Sequence, residues 1–382
     1  MSIPSLIYFL RCAPCWKVPQ LLSTYDNCVQ SSLEKILNCE FSIHTWKQVS
    51  LPVKLGGLGV KHGMTSAIPC FIASYHSVLP LIHQLIPEDI TDCALPQAIQ
   101  AYETEFGSIP TENPNSQKSW ETPIFNQIVK DLTIHYSTPL EKARILAVQQ
   151  EEAGLWLQAF PSPQIGTHMD DRSFQIAVAL RLGATICLPH TCRCGSEVTP
   201  QGTHGLSCKK SAGRFSRHSF VNDIIARAWR TAEVPVELEP RGHCKRNNGR
   251  ADGKTLFPVE RGKCLFWDFT CADTFAPSYL PATSITPGAA AKEAEQRKFK
   301  KYEDLAAQGI FVPIAIETSG VWGKEGRHMI QKIGSKISNL TSEARSTYYL
   351  MQRISIAVQR GNVASILGTF PSGKELNEIF YF

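Results

Sequence analysis

The sequence predicts an α+β protein, with a helical N-terminal half followed by a small α/β domain. Three observations carry this. Apolar residues recur at helical spacing through much of the chain up to residue 183. Three cysteines and a histidine then crowd into residues 192–208. Beyond them the pattern changes to helix, strand, strand, helix, strand, the order of a compact α/β unit.

With 382 residues the chain is long enough for two or three domains and a sizeable core. Hydrophobic content of 43% against 19% charged residues excludes a disordered chain. No apolar run approaches the length of a membrane-spanning helix, which predicts no membrane partner. "PSLIYFL" near the start is short and reads as a core segment, not a secretion signal. Thirteen cysteines is an odd number and most are scattered, so reduced thiols in the nucleus or cytoplasm are expected, not a secreted disulfide framework.

Residues 1–62 read as helical, with "TYDNCVQSSLEKIL" showing the apolar stripe. Gly56, Gly57 and Gly59 in "LPVKLGGLGVKHG" mark a tight turn. A helix is expected from there to about Ile86, and the polar, proline-containing stretch 108–119 reads as a linker. Helices are expected over 139–159 and 172–183, the second capped by Asp170 or Asp171. "HMDD" (168–171) resembles a polymerase Asp-Asp box but lacks the aromatic residue before it, which leaves the cap reading.

Past the cysteines, "RHSFVNDIIARAWRTA" (217–232) is an amphipathic helix and "VPVELEP" (234–240) alternates like a strand. "CLFWDFTC" (264–271) is an apolar run broken by one acid. An Ala- and Lys-rich helix over 288–308 stands between Pro287–Gly288 and Gly309. "IFVPIAIE" (310–317) is a strand, and two helices follow at about 325–339 and 343–360, the second capped by Thr341 or Ser342.

The spacing Cys192-x-Cys194-x9-His204-x3-Cys208 brings together four ligands of the kind zinc prefers. Glycines 195, 202 and 205 let the short loop fold back on itself. Four protein ligands fill a tetrahedral ion, so the site is expected to be structural and not catalytic.

Charge is uneven. The chain carries +5 overall, yet between Cys208 and Lys263 thirteen Lys/Arg face six Asp/Glu, a local +7. That segment predicts a polyanion partner, with a solvated basic face as the plain alternative. In it lie Lys209, Lys210, Arg214, Arg217, His218 and Arg250.

Two acids stand out. Asp252 follows a basic loop, and Asp268 is alone inside an apolar strand, where an unpaired charge is costly. On the helix that follows, Ala290, Ala294, Lys298 and Tyr302 recur every four residues. Small alanines suit packing on a sheet, whereas Lys298 on that face suits an anion. Two carboxylates and a lysine at a sheet edge form the constellation of a Mg2+- or Mn2+-dependent nuclease. Lys301 is the alternative lysine, Tyr302 a flanking hydrogen-bond donor, and Glu239 either a further metal ligand or a surface acid.

These residues carry a resemblance. The stretch from about 185 to 365 resembles the restriction-enzyme-like endonuclease region of non-LTR retrotransposon polyproteins and of proteins derived from them. The matching features are Cys192/Cys194/His204/Cys208, Arg217–His218 with Asn222–Asp223, Arg250-Ala-Asp252, Asp268, and Lys298 with Tyr302. Trp46 through Gly59 is similar to the thumb that follows a reverse transcriptase palm. The resemblance implies a thumb-like segment (1–62), a helical linker region (63–185), a zinc knuckle (186–212), a nuclease domain of the PD-(D/E)xK type (213–365) and a tail (366–382). It implies cleavage of one strand of target DNA, with DNA or RNA as partner and a reverse transcriptase supplied in trans, while the residues themselves offer no polymerase centre. Two positions depart from the family. Ala251 replaces a proline, and Thr270 stands where the namesake lysine would follow the second acid. The rival expectations are a zinc-stapled binding module that does not cut, and a relic without function.

Overall fold

The computed structural model describes residues 3–85, 94–107, 109–110, 113–211, 213–243 and 250–370. Part of the expected linker and most of the expected tail lie outside these residues. The protein is mixed α+β and divides into two compact units. Unit 1 is Met1–Pro52 with Gly57–His135, and unit 2 is Val53–Gly56 with Tyr136–Phe382. The boundaries read from the sequence at 62 and 185 fall inside these units.

Unit 1 is helical: α1 (Ile3–Cys12), α2 (Pro19–Leu37), α3 (Ile43–Ser50), α4 (Gly63–Leu85), α5 (Ala94–Phe106) and α6 (Gln117–His135). Local chemistry sets several of the ends. Asn38 closes α2 in the left-handed conformation, and Ser42 caps α3 by accepting the Thr45 N–H at 3.1 Å. The buried Asp26 carboxylate on α2 accepts from Gly63 N at 2.6 Å and Met64 N at 3.1 Å, so it caps α4 from a neighbouring helix. Gly57 is required by close approach, since a Cβ there would lie 2.0 Å from the Leu51 carbonyl oxygen.

One expectation needs correction here. The 23 residues of α4 form a helix long and apolar enough to cross a membrane, with a mean hydropathy of 1.3 over its best window. Its first half, from Ser66 to Ala73, is buried within unit 1 against α1, α5 and α6, as expected of a core helix.

Unit 2 opens with α7 (Pro139–Val148), held by a capping box between Thr138 and Glu141. The helix expected over 139–159 stops at Val148, and a 3-10 segment follows (Glu151–Gln158). The cause is Arg181 on α8 (Asp171–Leu182). Its buried guanidinium donates to the carbonyls of Val53 (2.6 Å), Ala153 (3.1 Å) and Val148 (3.4 Å), and the last two are acceptors a continuous α-helix would have used itself. Asp170 caps α8, as the sequence predicts, accepting the Ser173 N–H at 2.9 Å.

The knuckle region contributes β1 (His190–Thr191), β2 (Glu197–Val198) and α9 (His204–Ser207), followed by α10 (Gly213–Thr231). A four-stranded sheet comes next, in the order β3-β4-β5-β6: β3 (Val236–Leu238), β4 (Gly253–Thr255), β5 (Leu265–Ala272) and β6 (Ile310–Glu317). The first three strands are antiparallel, while β6 runs parallel to β5 in the register Asp268↔Pro313. The β5–β6 crossover carries α11 (Leu280–Thr283), α12 (Ala289–Lys301) and α13 (Glu303–Ala306). The chain then forms α14 (Lys324–Thr341) and α15 (Ser346–Leu367).

The two-residue period of β5 decides what each face meets. Leu265, Trp267 and Phe269 point into a core built with α10, α14 and α15. Phe266 packs with Tyr302, Leu305 and Phe311, and Ala272 with Ala290, Ala291 and Ala294 of α12. A strand covered on both faces reads as a continuous apolar run, which is why Asp268 is conspicuous. Two buried carboxylates fix the helices on this frame. Glu317, at the end of β6, accepts from the N–H groups of Ala290 (3.0 Å) and Ala291 (3.2 Å). Glu295 accepts from those of Glu325 and Gly326 at 3.1 Å each.

Two helix boundaries differ from expectation. The helix expected over 288–308 ends at Lys301, because Tyr302 turns inward to bury its ring at 2% exposure. Ser342 does not cap α15. It closes α14 at a φ of +61°, and Arg345 precedes α15.

Candidate functional site

Cys192, Cys194, His204 and Cys208 converge so that their ligand atoms all lie within 4.8 Å of one another. The group could hold a metal ion such as zinc. Cys192 Sγ and Cys208 Sγ stand 3.7 Å apart, and Cys194 Sγ lies 3.2 Å from His204 Nε2. The first separation is far beyond a disulfide bond. It matches the edge of a tetrahedron, about 3.7–3.8 Å, when sulfur sits about 2.3 Å from a zinc ion. Hydrogen bonding with Ser196 draws the Cys194 thiol down to about 6, whereas burial pushes the neighbouring Cys192 thiol up to about 11. Glycines at 195 and 202 take positive φ, +90° and +66°, where the loop doubles back. The knuckle is seated on α15: a Cβ on Gly205 would meet Ile366 Cα at 2.8 Å, and one on Gly213 would meet Ser365 N at 2.5 Å.

A second cluster forms where β4 begins. The last paired residues of β4 and β5 are Gly253 and Trp267, whose indole lies over Gly253 so closely that a Cβ would meet Cζ2 at 2.1 Å. Just before this pair, Asp252 leaves regular pairing. Its N–H donates to Trp267 O at 2.9 Å, and its Oδ2 accepts the Phe269 N–H at 2.6 Å. The Asp252 carboxylate is thus fastened to the backbone immediately after Asp268. Its Oδ1 lies 3.0 Å from His218 Nε2 on α10.

Asp268, 3% exposed, points toward α12, where Lys298 Nζ lies 2.5 Å from its Oδ2. The two form a short ion pair between the cleft and the sheet. Burial, and then the negative charge of Asp252, push the Asp268 carboxyl above its ordinary value, while Lys298 and Tyr302 oppose the rise. The bond with Asp252 raises His218, against the effect of its burial. The Tyr302 hydroxyl donates to Arg250 O at 2.7 Å and accepts from Lys301 Nζ at 2.9 Å, which anchors the loop that delivers Asp252.

The cluster opens onto a cleft of about 600 Å³ lined by Lys209, Arg214, Phe215, Arg217, His218, Phe269, Thr270, Cys271 and Lys298, with no acidic residue among them. Asp252, Asp268, Lys298, Tyr302 and His218 therefore come together, and Lys209 and Arg214 flank them. Lys210 turns to the knuckle and donates to Arg193 O at 3.2 Å. Arg250 faces solvent beside Glu239, at 3.4 Å, and Glu239 itself is exposed. Lys301 is committed to Tyr302. Arg217 differs from the expected surface contact. It is 3% exposed and donates to Asn362 Oδ1 on α15 at 2.6 Å, so it braces the cleft wall. Ala251, at the position where the resembled family has proline, is buried against Phe266 and Tyr302.

Sequence alone gave no sign of the His218–Asp252 bond, of Asn222 accepting from Trp267 Nε1 at 3.1 Å, or of Phe215 in the cleft. Two signals bore on these residues: the resemblance singles out His218 and Asn222, and helical spacing puts them on one side of α10, next to its buried stripe. No protein-family model matches the chain, and a search of curated proteins gives no match.

Proposed function

We propose that unit 2 is a metal-dependent endonuclease that cuts one strand of DNA, on a PD-(D/E)xK-type core stapled by a zinc knuckle and derived from a non-LTR retrotransposon protein. The observation that carries this reading is the meeting of Asp252, Asp268 and Lys298, from three separate elements, beside a basic cleft. The donor chemistry suits a hard divalent cation. Both acids offer carboxylate oxygens, and Lys298 stands beside the buried Asp268 carboxylate. Asp252 and Asp268 would hold Mg2+ or Mn2+, which supplies Lewis-acid polarisation of a phosphodiester and activation of water.

The chain's own residues supply the rest. Lys298 puts a positive charge at the cleft wall, where negative charge grows on the attacked phosphate. His218 and the Phe269 N–H hold Asp252 in place, and Tyr302 holds the loop leading to it. Lys209 and Arg214 receive neighbouring phosphates, with Arg250 farther out. The four-ligand knuckle leaves a bound zinc no open position, so its part is to brace Lys209, Lys210 and the start of α10 against α15.

A second reading rests on one feature of the same cluster. Both Asp252 oxygens accept hydrogen bonds and Asp268 is paired with Lys298, so the charges are already balanced, as in a binding module that does not cut. Plasmid nicking with Mg2+ or Mn2+, using wild type and Asp268→Ala, separates the two. Nicking lost in the variant supports the enzyme. DNA binding by both proteins without nicking by either supports the module.

A further inference from the structure

We infer that the cleft takes an unpaired nucleotide of DNA, whose base stacks on Phe215. This rests on the nuclease reading and names the form of its substrate. Phe215 lies in the first turn of α10 with 78% of its surface exposed, although it lines the cleft. No ring contact within the chain engages it among the described residues. Every ionisable side chain lining that cleft is basic or a thiol: Lys209, Arg214, Arg217, His218, Lys298 and Cys271. An apolar protein partner on this ring would have to desolvate the basic side chains around it, whereas a polyanion that carries flat bases suits both ring and charges.

The ring also shares a wall with the acids. Phe215 stands three residues before His218, which reaches Asp252, and Lys298 joins the cleft to Asp268. A base stacked on Phe215 thus places its own or the adjacent phosphate among Lys209, Arg214 and Lys298. A base inside an intact duplex is already stacked on both faces and offers no free face to a side chain. The geometry therefore favours a strand that is single or locally melted, such as a bubble or a flap.

The test is binding without added divalent metal, so that no strand is cut. Labelled DNA is offered as duplex, as single strand, and as duplex with a central bubble, to wild type, Phe215→Ala and Phe215→Trp. Wild type should bind bubble and single strand about tenfold or more tighter than duplex. Phe215→Ala should lose about tenfold on those two substrates and little on duplex, since stacking contributes roughly 1–3 kcal/mol per base. Phe215→Trp should retain the preference. Because the side chain is exposed, neither variant removes core packing, and far-UV circular dichroism verifies this. Equal losses on duplex and bubble, no loss at all, or tighter binding of an RNA single strand than of its DNA counterpart would overturn the inference. Nicking is not read here, so the preference and the nuclease activity can fail separately.

Discussion

Lys298 Nζ stands 2.5 Å from Asp268 Oδ2, with the lysine side chain 24% exposed and the aspartate 3%. One partner is sealed in the sheet and the other reaches the cleft, so the pair links the core to the surface. Removing the lysine strands a buried carboxylate, which typically costs about 3–5 kcal/mol.

Lys298→Met should therefore lower the urea midpoint, and adding Asp268→Asn should recover most of the loss. In nicking assays Lys298→Met should reduce the rate by about 100-fold or more, as loss of a group facing developing charge does. Lys301→Met should cost less than about fivefold, because that amine only supports Tyr302. Similar losses for the two lysines would contradict these separate roles.

The knuckle predicts about one zinc per chain. Cys194→Ser should release it, as read by a colorimetric chelator, and should raise amide exchange around 190–230. The sheet should stay protected, since the knuckle's contacts run to α15. Zinc-free wild-type protein with the same protection would rule the site out.

Neutralising Lys209, Lys210 and Arg214 together should weaken DNA binding and flatten its dependence on salt. Each lost phosphate contact removes about 0.9 from the slope of log affinity against log salt; with Lys210 turned to the knuckle, loss of the Lys209 and Arg214 contacts changes the slope by up to about 1.8. Arg217 is left intact because it is buried on Asn362. An unchanged slope would mark the run as solvated surface.

Unit 1 should be sensitive to acid through His62. Burial pushes its imidazole down to about 4, Nε2 has no hydrogen-bond partner, and the ring stacks on Trp46 at 4.1 Å. Above pH 6.5 both folded and unfolded forms are neutral and the term vanishes. As pH falls below 6.5, the unfolded chain takes up the proton first, so stability drops, by about 3 kcal/mol by the time pH 4 is reached. His62→Phe should remove this part of the acid dependence, visible in urea midpoints at pH 7.5 and 4.5. Nearby Asp26, raised by burial, works in the opposite sense and is common to both proteins.

Much of this was legible in residue types. Asp268 was conspicuous because a buried strand is otherwise apolar, and Ala290 and Ala294 announced a helix pressed onto a sheet. The four metal-type ligands lie within one loop, where spacing and proximity nearly coincide. What spacing could not give was set by distant partners. The 3-10 segment after Val148 answers to Arg181, 33 residues away, and Asp252 answers to His218, 34 residues away. The early end of α12 follows from Tyr302 reaching Arg250 O, 52 residues back. Helix propensity has no access to such contacts.

The seating of the knuckle and α10 on α15 also bears on how the chain is made. Ser211 bonds to Ser365 O across 154 residues, and Arg217 to Asn362 across 145. During synthesis, the metal loop and the first helix of the cleft leave the ribosome long before the helix they rest on. Unit 2 must then complete its core after translation has passed α15, with Arg217 and the part of α10 that rests on α15 uncovered until that moment. Such long-range closure is slow and invites chaperones. A ribosome stalled before residue 346 should hold a nascent chain in which the cleft is still unassembled.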